Sequence, residues 1–166
     1  PSGKEPMIKT FHAFSAEVLR KNGEKIGIGK DFKILDPDQA MVILHRNLKV
    51  HVNYCQKYIG TIGTAKDLGI ALDDFKAFIE RKMEEYGNID ITKRIENLNF
   101  ELATLHLRQS SAKKRFLVDE IKGLRRVLEM KKFVSAWNAY EKMKVKGNYQ
   151  DYSDLKQRNG IDVTRR

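Results

Sequence analysis

One cysteine, Cys55, stands among 166 residues. It rules out an internal disulfide and a cysteine-rich zinc site, and it fits a reducing, intracellular setting (cytoplasm, nucleoid or nucleus). Prolines number only three, so little interrupts helix formation. No stretch approaches the ~20 consecutive apolar residues of a membrane span, so we expect no membrane partner. The opening stretch PSGKEPMIK leads into no apolar core and is not a signal peptide. It also lacks an initiator methionine, and we read the chain as a piece of a longer one.

Catalytic signatures are missing as well. His12, His45, His51 and His106 are scattered, with no HExxH and no pair at i, i+4, so metal binding is not expected. No Gly-x-Ser-x-Gly elbow occurs. Cys55 lies in a helical run beside Tyr54 and Tyr58 and reads as a packed residue. The carboxylate pairs Asp36/Asp38 and Asp73/Asp74 suit helix caps better than an acid–base pair. The stretch EKIGIGKDF mimics the end of a phosphate loop, but five residues rather than four separate Gly23 from Gly29. Asp31 then occupies the hydroxyl position and would set a carboxylate against the phosphates.

What is present is helix and positive charge. Charged residues make up 33% of the chain, the net charge is +10 and the pI about 9.6, a balance that favours polyanions, nucleic acid first. The pattern predicts an all-α fold. Thr10 caps a first helix from about Phe11 to Lys21, with Phe11, Phe14, Val18 and Leu19 near one face and Phe14 in the core. Gly23 ends that helix. Phe32 to Leu35 is a short extended piece. Asp36, Pro37 and Gln39 then open a second helix, carrying Met41, Leu44 and Leu48 inward and running to about Tyr58. GTIGTAKDLGI reads as a glycine-punctuated region whose backbone N–H groups could meet a phosphate beside Lys66. A plain turn is an equally good reading. Asp73 or Asp74 opens a helix through Tyr86, with Phe75, Phe78, Ile79 and Met83 as its stripe.

The clearest periodicity comes next. Ile91, Ile95, Leu98, Leu102 and Leu105 are spaced 4, 3, 4, 3, and Leu117, Ile121, Leu124 and Leu128 resume with 4, 3, 4. The arm, about 91–132, reads as a helical hairpin with its tip near Ser110–Lys114; one long helix is the alternative. Phe133, Trp137 and Tyr140 continue the apolar spacing. Together with Phe116 they fit a core, so base stacking is not expected. Residues 156–166 form a polar tail.

Charge is lopsided along this part of the chain. From Leu72 to Glu101, five Lys/Arg face eight Asp/Glu; from Arg108 to Lys146, twelve Lys/Arg face four Asp/Glu, a net of +8. A charge run is usually a solvated helix face. Against that stands an excess of about three cations per anion, which suits phosphate contacts that release counterions.

IKTFHAFSAEVLRKN, from Ile8 to Asn22, resembles the Thr-Phe-His segment of UvrD/Rep/PcrA-type superfamily 1 DNA helicases, where it leads into an inserted helical subdomain called 1B. DFKILDPDQ, TAKDLGIALDDF and, near the end, AWNAYEKMKVKGNYQDYSDL resemble later family segments in the family's order. The ATP-binding lysine loop, the Mg-holding Asp-Glu motif and the arginine fingers are absent. The arm has no counterpart in the shorter family members.

The resemblance implies a 1B-like subdomain over residues 1–155, not an enzyme by itself. ATP and Mg would belong to the parent's motor, with no cofactor in this chain. Its partners would be DNA, single-stranded or forked, and the remaining motor domains. Implied DNA contacts are Thr10, Phe11 and His12 from the family segment. The basic residues Lys30, Lys66, Lys113, Lys114, Arg115, Lys122, Arg125 and Arg126 join them. Asp151, Tyr152, Asp154 and Leu155 match the family's return to the motor and read as packing. A structural coiled-coil module with no nucleic-acid partner is the rival reading.

Overall fold

The computed structural model describes residues 10–26, 28–49, 51–87, 89–105 and 111–158, with the side chains of 11, 12, 26, 157 and 158 excepted. Its helices are α1 (Phe11–Asn22), α2 (Pro37–Leu48), α3 (Val52–Asp67), α4 (Leu72–Glu85), α5 (Ile91–Thr104), α6 (Ser111–Gly147) and α7 (Tyr152–Arg158). A 3-10 turn, Gly23–Ile26, follows α1. Two short strands, β1 (Lys33–Leu35) and β2 (Tyr149–Asp151), pair in parallel with Ile34 opposite Gln150. The fold is mainly α, as the helical pattern predicts.

The chain divides into two units: Pro1–Ala71 with Ala136–Arg166, and Leu72–Ser135. The first unit is built on caps that the sequence announces. Thr10 Oγ1 accepts from the Ala13 N–H at 3.3 Å, and Asp36 Oδ1 accepts from the Gln39 N–H at 2.8 Å, each quenching an orphan donor of a helix start. Ala16 and Leu19 of α1 pack with Ile28, Phe32 and the fully buried Leu155 of α7. Because Ser15, Ala16 and Leu19 define the inward face, Phe14 lies on the outside of α1. It is 56% exposed, not the core residue predicted from its type.

Two further expectations change here. The helix opened by Asp36 does not run to Tyr58. It stops at Leu48, and Lys49 adopts left-handed φ 52°, its N–H closing on the His45 carbonyl. The glycine-punctuated GTIGTAKD is no loop. It is the second half of α3, whose inward stripe is Cys55, Tyr58, Ile62 and Lys66. The hydroxyls of Thr61 and Thr64 bond back to the carbonyls of Lys57 and Gly60, satisfying themselves inside the helix. A helix-start phosphate site is therefore absent from Gly60–Lys66.

The second unit is the arm with α4. Ile91, Leu98, Leu117, Ile121, Leu124 and Val127 form its buried core, with Met83, Tyr86, Ile95, Leu102, Leu105 and Leu128 packed around them. Arg94 Nη2 meets Glu120 Oε1 at 2.7 Å, and Lys113 Nζ meets Glu101 Oε1 at 3.0 Å. As one partner advances along α5 the other retreats along α6, so the two helices run antiparallel. This is the hairpin of the two readings. Gly123 sits mid-helix at a cost of about 1 kcal/mol relative to alanine. A Cβ there would lie 2.7 Å from the Tyr86 hydroxyl, so the glycine lets the end of α4 close on α6.

Candidate nucleic-acid interface

The arm's seam uses one face of α6 and leaves the other to solvent. Successive α-helical residues advance by about 100°, which places Lys114, Arg115, Lys122, Arg125, Arg126 and Lys132 in one sector of roughly 120° away from the leucine seam. All six are exposed. Glu129 is the acid within that sector and pairs with Lys132 at 2.7 Å; Asp119, at its edge, approaches Lys122 only to 3.8 Å. Lys114, Arg115, Arg125 and Arg126 have no ion pair among the described residues. From Arg115 to Arg126 the rise is about 17 Å. That length matches about five phosphates of one strand at ~3.4 Å each. Exposed and cationic from Lys114 to Arg126, this part of the face can neutralise a run of phosphates.

Lys113 differs from its neighbours. Its ammonium belongs to the hairpin seam through Glu101, although its side chain remains 51% exposed. The first turn of α6 carries no acidic residue, so Lys113 and Lys114 oppose the positive end of the helix dipole. A local preference is broken where an anion would restore it.

The other predicted contacts lie in the first unit. Lys30 is exposed in the turn before β1, 3.3 Å from Glu24. Thr10 spends its oxygen on the α1 cap, and the side chains of Phe11 and His12 lie outside the described residues. Lys66 is a correction. It is 7% exposed and points into carboxylates, at 2.8 Å from Asp151, 2.6 Å from Asp154 and 3.0 Å from Glu141. It has no free face for a phosphate.

That cluster explains the Asp-Tyr-x-Asp-Leu segment physically. Asp151 Oδ1 accepts from the Asp154 N–H at 2.9 Å while Asp154 Oδ2 accepts from the Asp151 N–H at 3.0 Å, a reciprocal cap on α7. The same two carboxylates hold Lys66 from α3 and Lys144 from α6, the latter 2.8 Å from Asp151 and 2.5 Å from Asp154. Tyr140 donates its hydroxyl to Asp151 at 3.1 Å, and Trp137 donates its indole N–H to Glu141 at 3.2 Å. Leu155, next along the segment, fills the α1 core.

Burial by itself would raise the Asp151 pKa, but Lys66 and Lys144 outweigh it and hold the carboxyl well below the usual range. Burial would lower that of Lys66, and the three carboxylates instead hold it above the ordinary lysine value. For Tyr140, burial and Asp151 act together and push the phenol up. Two ammoniums offset most of the charge of three carboxylates and every one of these groups is held by a partner, so the cluster reads as a structural clamp rather than an acid–base site.

A cleft of about 450 Å³ beside it, lined by residues such as Leu35, Met41, Val52, Ile59 and Ile62, includes no lysine or arginine and suits no phosphate. Among the described residues no three His, Cys, Asp or Glu side chains converge as a metal site. Nor is any described helix long and apolar enough to cross a membrane.

Comparison with known proteins adds what the geometry cannot. The family model described as UvrD/REP helicase N-terminal domain matches residues 2–159. The DNA helicase II of Haemophilus influenzae is 31% identical over 88 residues, covering 49% of this chain and 12% of that protein. The ATP-dependent DNA helicase PcrA of Leuconostoc citreum is 29% identical over 118 residues, 63% of this chain and 16% of the relative. That of Bacillus subtilis is 36% identical over 72 residues, 40% and 10% respectively. The chain thus spans less than a fifth of the length of each of these relatives. No solved structure gives a significant match.

Proposed function

The chain belongs to the UvrD/REP helicase N-terminal domain family, and from that premise we propose that it is a DNA-binding accessory subdomain of an ATP-dependent DNA helicase or translocase. Its work is non-catalytic: the arm guides DNA by phosphate contacts while motor domains supplied by the parent bind ATP and Mg and turn the nucleotide over. The observation that carries this reading is the outer face of α6, where Lys114, Arg115, Arg125 and Arg126 stand exposed and unpaired among the described residues. Lys122 lies between them with only a loose partner. Unpaired charges repel one another and stabilise no fold, so a polyanion gives them a use. Lys66 has no part in this contact, and Lys113 divides its charge with the hairpin seam.

The test is charge reversal on that face. The triple variant Arg115→Glu, Arg125→Glu and Arg126→Glu leaves the leucine seam intact, so its helix content by circular dichroism should match the parent chain. Its affinity for a forked oligonucleotide at low salt should fall by at least tenfold. An unchanged affinity would remove the arm from the DNA contact and leave the structural-module reading in its place.

A further inference from the structure

One glycine of α3 has no use in this chain's own packing. Gly60 is exposed in the interior of a 16-residue helix. A Cβ added there would meet nothing within 4 Å, and its backbone φ is not positive. Alanine or leucine would serve the helix better. Gly60 lies instead in the wall of the 450 Å³ cleft of the first unit. Around it stand Val52 and Ile59 of α3, Met41 and Asp38 of α2, and Tyr152 at the start of α7. The volume falls within the ~300–1,000 Å³ of built binding clefts. Asp38 is exposed and has no ion pair among the described residues. Asp151, the other acid in the wall, is taken by Lys66 and Lys144. The cleft therefore offers apolar walls, a bare stretch of helix backbone and one free carboxylate.

We propose that this cleft seats an apolar segment of the parent's motor domains that carries a lysine or arginine. The apolar side chains fill the space between α2 and α3, the cation meets Asp38, and the segment's backbone comes close over Gly60. A side chain at that position would hold it off, which gives the glycine its use. The occupant follows from charge and from chain length. No lysine or arginine lines the cleft, so a cation completes it and an anion does not. This chain covers only 10% to 16% of each of its relatives, so most of the parent lies outside it. The described residues end at Arg158, about 9 Å along α7 from Tyr152 in the cleft wall. The docking rests on the reading of the chain as a helicase subdomain and deepens it, by naming the surface that joins the subdomain to its motor.

The experiment is hydrogen exchange on α3, read in the 166-residue chain and in the whole parent helicase. The parent should slow exchange over residues 52–63 by about tenfold or more, because docking suppresses local opening. Gly60→Leu fills the place of close approach. In the isolated chain it should leave helix content and thermal midpoint at or above the unsubstituted level, since a side chain there meets nothing. In the parent it should return residues 52–63 to the rate of the isolated chain. Asp38→Asn removes the charge and leaves the Asp36 cap of α2 in place, and it should lose part of the added protection.

Equal exchange in chain and parent overturns the docking. So does a Gly60→Leu parent that keeps its full protection. Protection that rises with concentration in the isolated chain also overturns it, since a second copy would then be the occupant. A parent that turns over ATP but adds no protection loses the docking alone; one that turns over no ATP loses the helicase reading with it.

Discussion

Replacing Lys66 by methionine tests how the first unit is held together. The ammonium is 7% exposed and lies 2.6–3.0 Å from three carboxylates. Methionine fills most of the same volume, so packing is largely kept and the charge alone is lost. Lys144 is then left as one cation against Glu141, Asp151 and Asp154. Removing one partner of a buried ion pair costs about 3–5 kcal/mol, because the surviving charge stays buried and unpaired. The exposed i, i+4 pair Lys21–Glu17 provides the control, since Lys21→Met should cost no more than about 0.5 kcal/mol.

With a urea dependence of about 2 kcal/mol/M, the Lys66 variant should unfold roughly 1.5–2.5 M earlier. Trp137 is the chain's one tryptophan, is buried and bonds to Glu141, so its fluorescence reads this cluster directly. Adding Asp154→Asn to Lys66→Met removes a surplus negative charge and should recover part of the loss. A loss below about 1 kcal/mol, or no recovery in the double variant, would refute the clamp and leave α7 held by Leu155 and its cap alone.

Two further outcomes follow from the same structure. Asp151 has a folded pKa below its unfolded value of about 3.9, so its contribution is complete above that pH and is lost as pH falls through the folded value. Lys66 and Tyr140 have raised folded values, so theirs are complete below about pH 10 and are lost as pH rises. Trp137 fluorescence should therefore show a stable plateau across neutral pH with separate acid and alkaline limbs; Lys66→Met should move the acid limb to higher pH. In the arm, Leu124→Ala truncates a fully buried seam residue and should cost about 2–5 kcal/mol. Hydrogen exchange would then show lost protection in α5 and in the first half of α6.

The sequence is legible where the physics is local. Asp36-Pro37-x-Gln39 starts α2 as read, because a cap needs only its own turn. The leucine spacing on either side of the arm's tip yields the α5–α6 hairpin for the same reason. Illegible features depend on distant partners. Lys66 and Asp154 are 88 residues apart in sequence, and β1 finds its partner strand beyond the whole arm. Nothing in GTIGTAKD announces that its lysine faces inward, and its glycines suggest a break where Ile62 and Tyr58 instead anchor a helix. Phe14 and Phe116 mislead in another way. Residue type argues for burial, but their angular position on the helix puts them outside. For the candidate interface, the sequence located the cations along the chain, while the structure separates Lys66, which is clamped, from Arg125 and Arg126, which are free to meet a phosphate.

The role assigned to α6 turns on how DNA affinity responds to salt. If Lys114, Arg115, Lys122, Arg125 and Arg126 each neutralise one phosphate, log K for single-stranded DNA should fall against log salt with a slope of about −3.5, and for duplex about −4.5. Reversing Arg115, Arg125 and Arg126 together should flatten the single-strand slope by about 2. A parent slope near zero, or a reversal that leaves the slope unchanged, would show that the arm's positive face is merely solvated.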